Sequence, residues 1–440
     1  MNGHGARRTS VPPRCRHFLR RCAASWLALR RAKRLRAACC VGVPLLAAWL
    51  ALALTVGFAG ETGRAAGEAA APDNGREQAK NGGGEKREEP EEMLVLQPPP
   101  KSASNGVKPA EMDLLWEYEA GGLCFLAPAE GALLAASTGG KVFALDPGSG
   151  GLLWSFSIDA WIASRPTYSE GRVFFGSTDH YLYAVDAASG QLLWRFKAMG
   201  EIITPPTCYR DTLYFICDNN QVYDLNTWVY AVRAADGDLL WCREARGWVT
   251  SAPCPGSSGI IITNYSREVT SLSPRDGEPQ WSLHTVNLVF NPPLVEEDTV
   301  FVSSLGGAIQ AVREADGHPL WTSSINDFIW SPILQGDQCL LLGSNSMCFY
   351  ALDKRSSLER WAVNLGDSLA FSPQLDEGHI YAFTGAGKVY ALSEEDGGLA
   401  ACYQAEKPFP TAPVALRGSL FASTPEGKIR AYRMPVPATR

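Results

Sequence analysis

Short runs of apolar and aromatic residues alternate with turn residues between positions 114 and 433, and the pattern returns about every 40 residues. One unit shows the parts: apolar runs at 172–176, 181–185 and 192–196, with the turn 186–190 before the last run. Runs of β-branched and aromatic residues bounded by Gly, Asp and Ser are typical of strands. Because no later segment shows the 3.6-residue period of an amphipathic helix, the pattern predicts an all-β domain of repeated units.

Each unit carries the phrase A-x-D-x-x-x-G-x-x-x-W, which is complete in the copies beginning at Ala144 and Ala184 and partial in later ones. One tryptophan precedes the first copy, and Ala401 stands where the last tryptophan is expected. A large ring that recurs once per unit is predicted to fill the gap between neighbouring units. These structural tryptophans are Trp116, Trp154, Trp194, Trp241, Trp281, Trp321 and Trp361.

Four short antiparallel strands per unit are typical of a propeller blade, and blades stack side by side until the ring closes. The first tryptophan strand, 114–118, has no A-x-D strand before it, and the last A-x-D strand, 429–433, has no tryptophan strand after it. We expect these two to pair with each other. The prediction is an all-β, eight-bladed β-propeller over residues 112–434, closed by a composite blade and followed by a tail, 435–440.

The repeat resembles the pyrroloquinoline-quinone-type propeller repeat over residues 114–433. That family includes quinoprotein alcohol dehydrogenases and an eight-bladed lipoprotein subunit of the bacterial outer-membrane assembly machine. The phrase marks blade turns rather than a cofactor site, so the resemblance implies the fold and leaves the chemistry open.

The resemblance also raises a quinone-dependent dehydrogenase, which would use a vicinal cysteine pair, a calcium or related ion and a catalytic aspartate. The vicinal pair of this chain, Cys39–Cys40, precedes the propeller, and the loops between blades are short. We therefore predict no quinone or other cofactor, no metal and no catalytic residue, and expect that the chain is not an enzyme.

The N-terminal residues differ sharply in charge from the rest of the chain. Residues 1–60 hold eleven Lys and Arg and no acidic residue, whereas the remainder holds 29 basic and 46 acidic residues. The segment from Val41 to Gly60 is uncharged and long enough to span a bilayer, and the basic residues before it favour a cytoplasmic N-terminus. We predict a basic cytoplasmic tail (1–37), a transmembrane signal-anchor (38–60) and a propeller outside the cytoplasm, in a periplasm or secretory lumen.

Two alternatives stay open for this N-terminal region: a cleaved signal peptide that releases a secreted propeller, and an organelle transit sequence. Residues 61–111 are rich in Gly, Ala, Glu, Lys and Pro and contain no aromatic residue. Such a segment buries too little apolar surface to fold, so it predicts a disordered linker that holds the propeller away from the membrane.

The cysteines, the overall charge of the propeller and a glycosylation triplet indicate little about chemistry. The eight propeller cysteines lie at unrelated positions without C-x-x-C spacing, which favours free thiols over metal ligands or a readable disulfide set. The acidic propeller disfavours nucleic-acid binding. Asn264 begins an Asn-Tyr-Ser triplet, which would accept an N-glycan in a eukaryotic secretory lumen.

Aromatic residues in the loops that lead into each blade indicate a surface for a protein partner. These loops gather on one face around the channel mouth and carry Trp161, Trp248, Phe290, Trp330 and Phe371. A seven-residue insertion near 219–225 lengthens another loop on that face, with Tyr223 and Trp228 beside it. The alternative is that these aromatics pack between blades.

The sequence as a whole predicts a non-catalytic, membrane-tethered propeller that acts as a protein-binding scaffold on the non-cytoplasmic side. The partner's identity is not readable from the sequence. A ligand or stress sensor ectodomain and a degenerate quinoprotein are the alternatives.

Overall fold

The computed structural model describes residues 94–96, 99, 108–218, 227–245, 247, 249, 251–264, 267–329, 331–367 and 369–434. The regular elements in these ranges are all strands. None of the described residues belongs to a helix that is long and apolar enough to cross a membrane. The predicted basic tail and the segment from Val41 to Gly60 lie outside the described residues.

Three strands precede the first blade: β1 (Leu94–Leu96), β2 (Ala110–Glu111) and β3 (Asp113–Glu119). Blades 1 and 2 contain β4 (Cys124–Ala129), β5 (Ala132–Ser137), β6 (Lys141–Leu145), β7 (Leu152–Ser157), β8 (Thr167–Ser169), β9 (Arg172–Gly176), β10 (Tyr181–Asp186) and β11 (Leu192–Lys197). Blades 3 and 4 contain β12 (Thr207–Tyr209), β13 (Thr212–Asp218), β14 (Thr227–Arg233), β15 (Leu239–Ala245), β16 (Cys254–Pro255), β17 (Ile260–Asn264), β18 (Glu268–Leu272) and β19 (Pro279–His284).

Blades 5 and 6 contain β20 (Leu294–Glu296), β21 (Thr299–Ser303), β22 (Ala308–Arg313), β23 (Pro319–Ile325), β24 (Leu334–Gln335), β25 (Cys339–Gly343), β26 (Cys348–Asp353) and β27 (Glu359–Asn364). Blades 7 and 8 contain β28 (Gln374–Asp376), β29 (His379–Phe383), β30 (Lys388–Ser393), β31 (Leu399–Gln404), β32 (Val414–Leu416), β33 (Ser419–Ser423) and β34 (Lys428–Arg433), with β3 as the last strand of blade 8. The first strands of adjacent blades contact one another and line the centre of the ring. The predicted eight-bladed propeller is thus confirmed.

The composite blade is confirmed as well. Strand β3 pairs antiparallel with β34, with Trp116 opposite Ala431. The carboxylate of Glu117 accepts hydrogen bonds from Lys428 Nζ and from Arg430 Nε, the latter at 2.7 Å. The two ends of the domain are therefore joined within one sheet.

Two short strands differ from the predicted disordered linker. Strand β1 adds in parallel to the outer edge of blade 5, along β23, and β2 adds in parallel to β31 of blade 7. Leu96 is buried in a core cluster with Ile325 and Ile329. The apolar run Leu-Val-Leu is too short to change the composition of the whole linker, which is why composition did not reveal it.

Each structural tryptophan connects its blade to the turn of the next one. Trp154 Nε1 donates a hydrogen bond to the carbonyl oxygen of Ala187 at 2.7 Å, and its ring lies over Gly190. Gly190 has φ +70, and a Cβ there would lie 2.6 Å from Trp154 Cε3. The same bond joins Trp116 to Pro147, Trp194 to Ala234, Trp241 to Pro274, Trp281 to Glu314, Trp321 to Lys354 and Trp361 to Glu394.

The two irregular copies of the repeat follow from this geometry. Ser357 takes the glycine position of blade 6 and keeps the left-handed conformation, with φ 58. Ala401 lacks an aromatic ring because the next blade is the composite one, whose third and fourth strands are opposite ends of the chain and have no turn between them. Met112 packs beside Ala401 against the core that contains Met434.

Candidate functional site

The strand order assigns the connections to two faces of the ring. Within a blade, the loop from the second to the third strand and the loop to the next blade lie on one face, which we call the rim face. The loops from the first to the second strand and from the third to the fourth strand lie on the opposite face, which we call the turn face. The described residues of the loops predicted to bind a partner, among them Trp161, Phe290 and Phe371, belong to the rim face. The predicted insertion at 219–225 lies outside the described residues.

Trp161 is the rim residue that best fits a contact surface. Its backbone is fixed by the neighbouring hairpin loop: its N–H donates to Thr178 Oγ1 at 3.2 Å, and its carbonyl accepts from the N–H of Thr178 at 3.0 Å. Its side chain nevertheless remains 36% exposed. A large ring on a fixed backbone costs little conformational entropy when it is covered by a partner.

The other described rim candidates are more buried. Phe290 and Phe371 are half-buried, and Phe371 packs against the core of blades 7 and 8. Phe371 also lines a small cavity with Ser331, Ser344 and Leu369. These two phenylalanines therefore contribute to blade packing as well as to the rim.

Trp228, which was predicted beside the insertion, is a strand residue. It belongs to β14, opposite Cys217, and packs against the core cluster of blades 2 and 3 that contains Phe215. This tryptophan is therefore part of a strand. Trp248, Trp330 and Tyr223 lie outside the described residues, and their role stays a prediction.

Asn264, the candidate glycan acceptor, is buried. It ends β17, only 4% of it is exposed, and its Oδ1 accepts a hydrogen bond from the N–H of Glu268 at 3.1 Å. A buried side-chain amide is inaccessible to glycosylation once the blade has folded.

A second apolar surface lies beside the turn face and was missed in the sequence. Pairs of leucines precede the tryptophan in the outer strands of four consecutive blades, 8, 1, 2 and 3, and each is between 38% and 53% exposed. We call this surface the leucine arc: Leu114, Leu115, Leu152, Leu153, Leu192, Leu193, Leu239 and Leu240. At this point a β-bulge shifts the pairing between the third and fourth strands of each blade. Both leucines are therefore held away from the core.

The equivalent positions of the remaining blades do not continue the leucine arc. They hold Pro279 and Gln280 in blade 4, Pro319 and Leu320 in blade 5, Glu359 and Arg360 in blade 6, and Leu399 and Ala400 in blade 7. The repeated Leu-Leu-Trp is visible in the sequence, but its leucines could equally be buried residues of an ordinary strand or exposed residues of a binding surface. Exposure separates the two interpretations, and it depends on the tertiary fold.

Asp367 illustrates a charged group of the described residues that is engaged in structural contacts. Asp367 accepts hydrogen bonds from Lys388 Nζ at 2.7 Å and from the Tyr390 hydroxyl. Burial raises the pKa of Asp367, but these two hydrogen bonds outweigh burial and hold the pKa below its usual value. A carboxylate paired in this way is a weak proton acceptor.

The eight described cysteines are free thiols, buried or half-buried in different blades. Burial raises the pKa of the Cys124 and Cys254 thiols to about 12. A thiol with so high a pKa is protonated at neutral pH and is a poor nucleophile or metal ligand.

A comparison with known proteins identifies the family of this propeller. A profile of the family described as outer membrane protein assembly factor BamB (PQQ_2) matches residues 107–227, 225–327 and 345–434. The chain belongs to this family. The resemblance of the repeat to pyrroloquinoline-quinone-type propellers is thereby confirmed.

Solved structures share the propeller at low sequence identity. BamB from Moraxella catarrhalis has a TM-score of 0.60 at 14% identity, over 73% of this chain and 100% of that one. Sqt1 from Saccharomyces cerevisiae has a TM-score of 0.61 at 12% identity, over 74% and 100%. The quinohemoprotein alcohol dehydrogenase ADHIIG from Pseudomonas putida HK5 has a TM-score of 0.57 at 12% identity, over 76% and 80%. No curated protein matches the chain by sequence.

These structural neighbours include an assembly factor and an enzyme, so at such identities they show the fold alone. Within the described blades, no three His, Cys, Asp or Glu side chains converge on a point where an ion could bind. The vicinal pair Cys39–Cys40 lies outside the described ranges.

Proposed function

We propose that this protein is a membrane-tethered propeller that acts as a non-catalytic, protein-binding scaffold on the non-cytoplasmic side of its membrane. The leucine arc carries the proposal. Isolated exposed leucines are ordinary on a soluble domain, but these eight recur at the same position of four adjacent blades, and such a concentration of exposed apolar side chains marks an interaction site.

The surroundings of the leucine arc favour a protein over a lipid surface. The adjoining turns carry Asp146 and Asp186, together with Asp236 and Asp238, which are paired with Arg233, all on the same side of the ring as the leucines. Carboxylates next to an apolar surface oppose docking on an anionic membrane. An apolar centre with a charged border is the usual composition of a protein–protein interface, and it requires a partner with an apolar patch flanked by basic residues.

Four further observations support the proposal. The uncharged segment from Val41 to Gly60 supports the tether, and the charge distribution before it supports the orientation. Membership of a family described as an outer membrane assembly factor is consistent with a protein partner. Trp161 on the rim face supplies a second contact surface.

The test is affinity purification of the tagged full-length protein from native membranes in mild detergent, with mass spectrometry of what co-purifies. We expect a stoichiometric protein that is lost when Leu153→Ser and Leu193→Ser are combined. The matched control is Leu358→Ser, which changes a 57% exposed leucine on blade 6, outside the arc, and should keep the partner.

Two outcomes would contradict the proposal. If the double variant retains the partner while Trp161→Ala loses it, the rim face and not the leucine arc is the binding surface. If the wild-type protein purifies alone under crosslinking as well as without it, the scaffold function is wrong. If the double variant and the control variant melt at the same temperature, a loss of binding by the double variant is not caused by unfolding.

A further inference from the structure

One position of the outer strands decides how the space between neighbouring blades is filled. It lies two residues after the structural tryptophan, or after Ala401 in blade 7. In blade 1 this residue is Phe156, whose ring lies 6.1 Å from the rings of Phe175 and Tyr183 in blade 2. The equivalent residues of blades 8, 2, 4, 6 and 7 are also large and pack in buried clusters: Tyr118, Phe196, Leu283, Val363 and Tyr403.

Blades 3 and 5 differ from this pattern. Blade 3 has Arg243, whose Cγ lies 2.7 Å from where a Cβ on Gly277 of blade 4 would be and whose guanidinium pairs with Glu278 at 2.6 Å. The stem of the arginine therefore occupies the space. Blade 5 has Ser323, which is completely buried although its side chain is short. Ser323 leaves a groove between the outer strands of blades 5 and 6 that blade 5 itself does not fill.

Strand β1 fills this groove. Leu94 lies opposite Ser323 in the parallel pairing, and Leu96 follows two residues later on the same side of the strand. Both leucines pack in the cluster that contains Leu342 and Tyr350 of blade 6. These two residues are the counterparts of the blade 2 aromatics that the phenylalanine of blade 1 contacts. The leucines thus supply the apolar volume that the serine lacks.

The groove also holds the main chain of its occupant. Ser323 Oγ donates a hydrogen bond to the carbonyl of Leu94 at 3.2 Å, and the N–H of Asn326 donates to the carbonyl of Leu96 at 3.4 Å. Val95, between the leucines, points outward and is 46% exposed. The groove therefore selects an extended Leu-x-Leu segment and accepts different residues at the middle position.

Few contacts besides those of the groove hold β1 in place. The strand is three residues long, and only Leu96 of the three is buried. The next described strand along the chain, β2, begins at Ala110 and lies on blade 7. A short edge strand with one buried side chain opens at a much lower free energy than the whole domain.

We propose that the groove between blades 5 and 6 binds an extended Leu-x-Leu segment of a partner protein, which adds to β23 in parallel and replaces β1. Strand addition to a sheet edge draws affinity from main-chain hydrogen bonds and specificity from alternate side chains. The seated β1 shows which chemistry fits. Because β1 is attached to the propeller, its effective concentration is high, and it keeps weakly binding segments out of the groove.

This site is separate from the leucine arc. The arc lies on blades 8, 1, 2 and 3, whereas the groove lies on blades 5 and 6. The variants that test the arc leave the groove intact, so either proposal can fail without the other.

The experiment measures the fluorescence anisotropy of a labelled peptide with the sequence of residues 92–98, Glu-Met-Leu-Val-Leu-Gln-Pro, titrated with the full-length protein in mild detergent. Leu94→Ser combined with Leu96→Ser empties the groove, and we expect this double variant to bind the peptide at least tenfold more tightly than wild type. The peptide should also raise the melting temperature of the double variant, because it binds the folded state. A control peptide with serine in place of both leucines should bind neither protein.

Ser323→Phe tests where the peptide binds. This substitution gives blade 5 the residue type that blades 1 and 2 have, so it should fill the groove without unfolding the blade. Added to the double variant, it should abolish peptide binding. Ser324→Phe is the matched control: it places the same ring on the opposite side of β23, beside Val95, and should leave binding unchanged.

Three results would overturn the proposal. If the double variant does not bind the peptide, the groove accepts β1 only as part of the chain's own fold. If Ser323→Phe leaves binding unchanged, the peptide binds elsewhere. If the double variant binds but wild type does not bind even at saturating peptide, β1 is a fixed strand of blade 5 and does not exchange. Should Ser323→Phe melt below its parent, Ser323→Leu fills the groove with a smaller side chain and serves the same comparison.

Discussion

At the scale of single residues, the repeated phrase is a contact between neighbouring blades. The indole N–H of each structural tryptophan satisfies a carbonyl in the next blade's turn, and the ring requires glycine, or Ser357 in a left-handed conformation, beneath it. The large apolar area of the ring and its hydrogen bond act at the same place, so each tryptophan both stabilises the blade pair and fixes its spacing.

We predict that Trp194→Ala lowers the free energy of unfolding by about 3–5 kcal/mol. The substitution removes a ring that packs on Gly237 and lies 5.8 Å from Phe174, together with the bond to the Ala234 carbonyl. Trp161→Ala removes an exposed ring and should cost less than about 1 kcal/mol. Urea unfolding followed by circular dichroism measures both, and equal losses would show that Trp161 is a packing residue rather than a surface for a partner.

At the scale of elements, the outer edges of the blades accept additional strands. Strand β1 extends blade 5 and β2 extends blade 7, both in parallel to the existing outer strand. Main-chain hydrogen bonds and one buried side chain hold the short β1, and Ser323 Oγ donates to the Leu94 carbonyl at 3.2 Å. A segment with little apolar content can thus fold locally where an exposed strand edge is available.

We predict that Leu96→Ala destabilises the propeller by about 2 kcal/mol, at the lower end of the range for a buried leucine, because β1 is a short strand at an edge. Val95, its neighbour, is 46% exposed, so Val95→Ala should change stability by less than about 0.5 kcal/mol. Hydrogen exchange of the β23 amides is the measurement. Equal protection in both variants and wild type would mean that β1 does not cover blade 5.

At the scale of the whole molecule, closure of the ring depends on one sheet made from both ends of the domain. The ion pairs of Glu117 with Lys428 and Arg430 lie at its surface, where such pairs contribute about 0–1 kcal/mol. The strand pairing between β3 and β34 and the apolar contacts around Trp116 and Phe421 therefore carry most of the closure.

We predict that a chain ending at residue 425, which lacks β34, loses its cooperative thermal transition. Without β34, β3 has no neighbour in blade 8, and the faces of blades 7 and 1 are exposed. A chain ending at residue 434 removes only the tail and should melt like the full-length protein. Differential scanning calorimetry compares the two, and a cooperative transition of the shorter chain at the wild-type temperature would contradict closure by the composite blade.

The sequence by itself determined the blade number, the composite closure and the identity of the structural tryptophans. The blade number and the tryptophans rest on contacts at a short, recurring separation, such as the 33 residues between Trp154 and Ala187, so a periodic sequence repeats them visibly. The composite closure follows from the unpartnered strand that the repeat leaves at each of its ends. The tertiary structure alone decided which leucines stay exposed, that Asn264 is buried and where β1 docks. Exposure and burial are properties of the folded chain, and the docking of β1 joins Leu94 to Ser323, 229 positions away, a distance that no local pattern encodes.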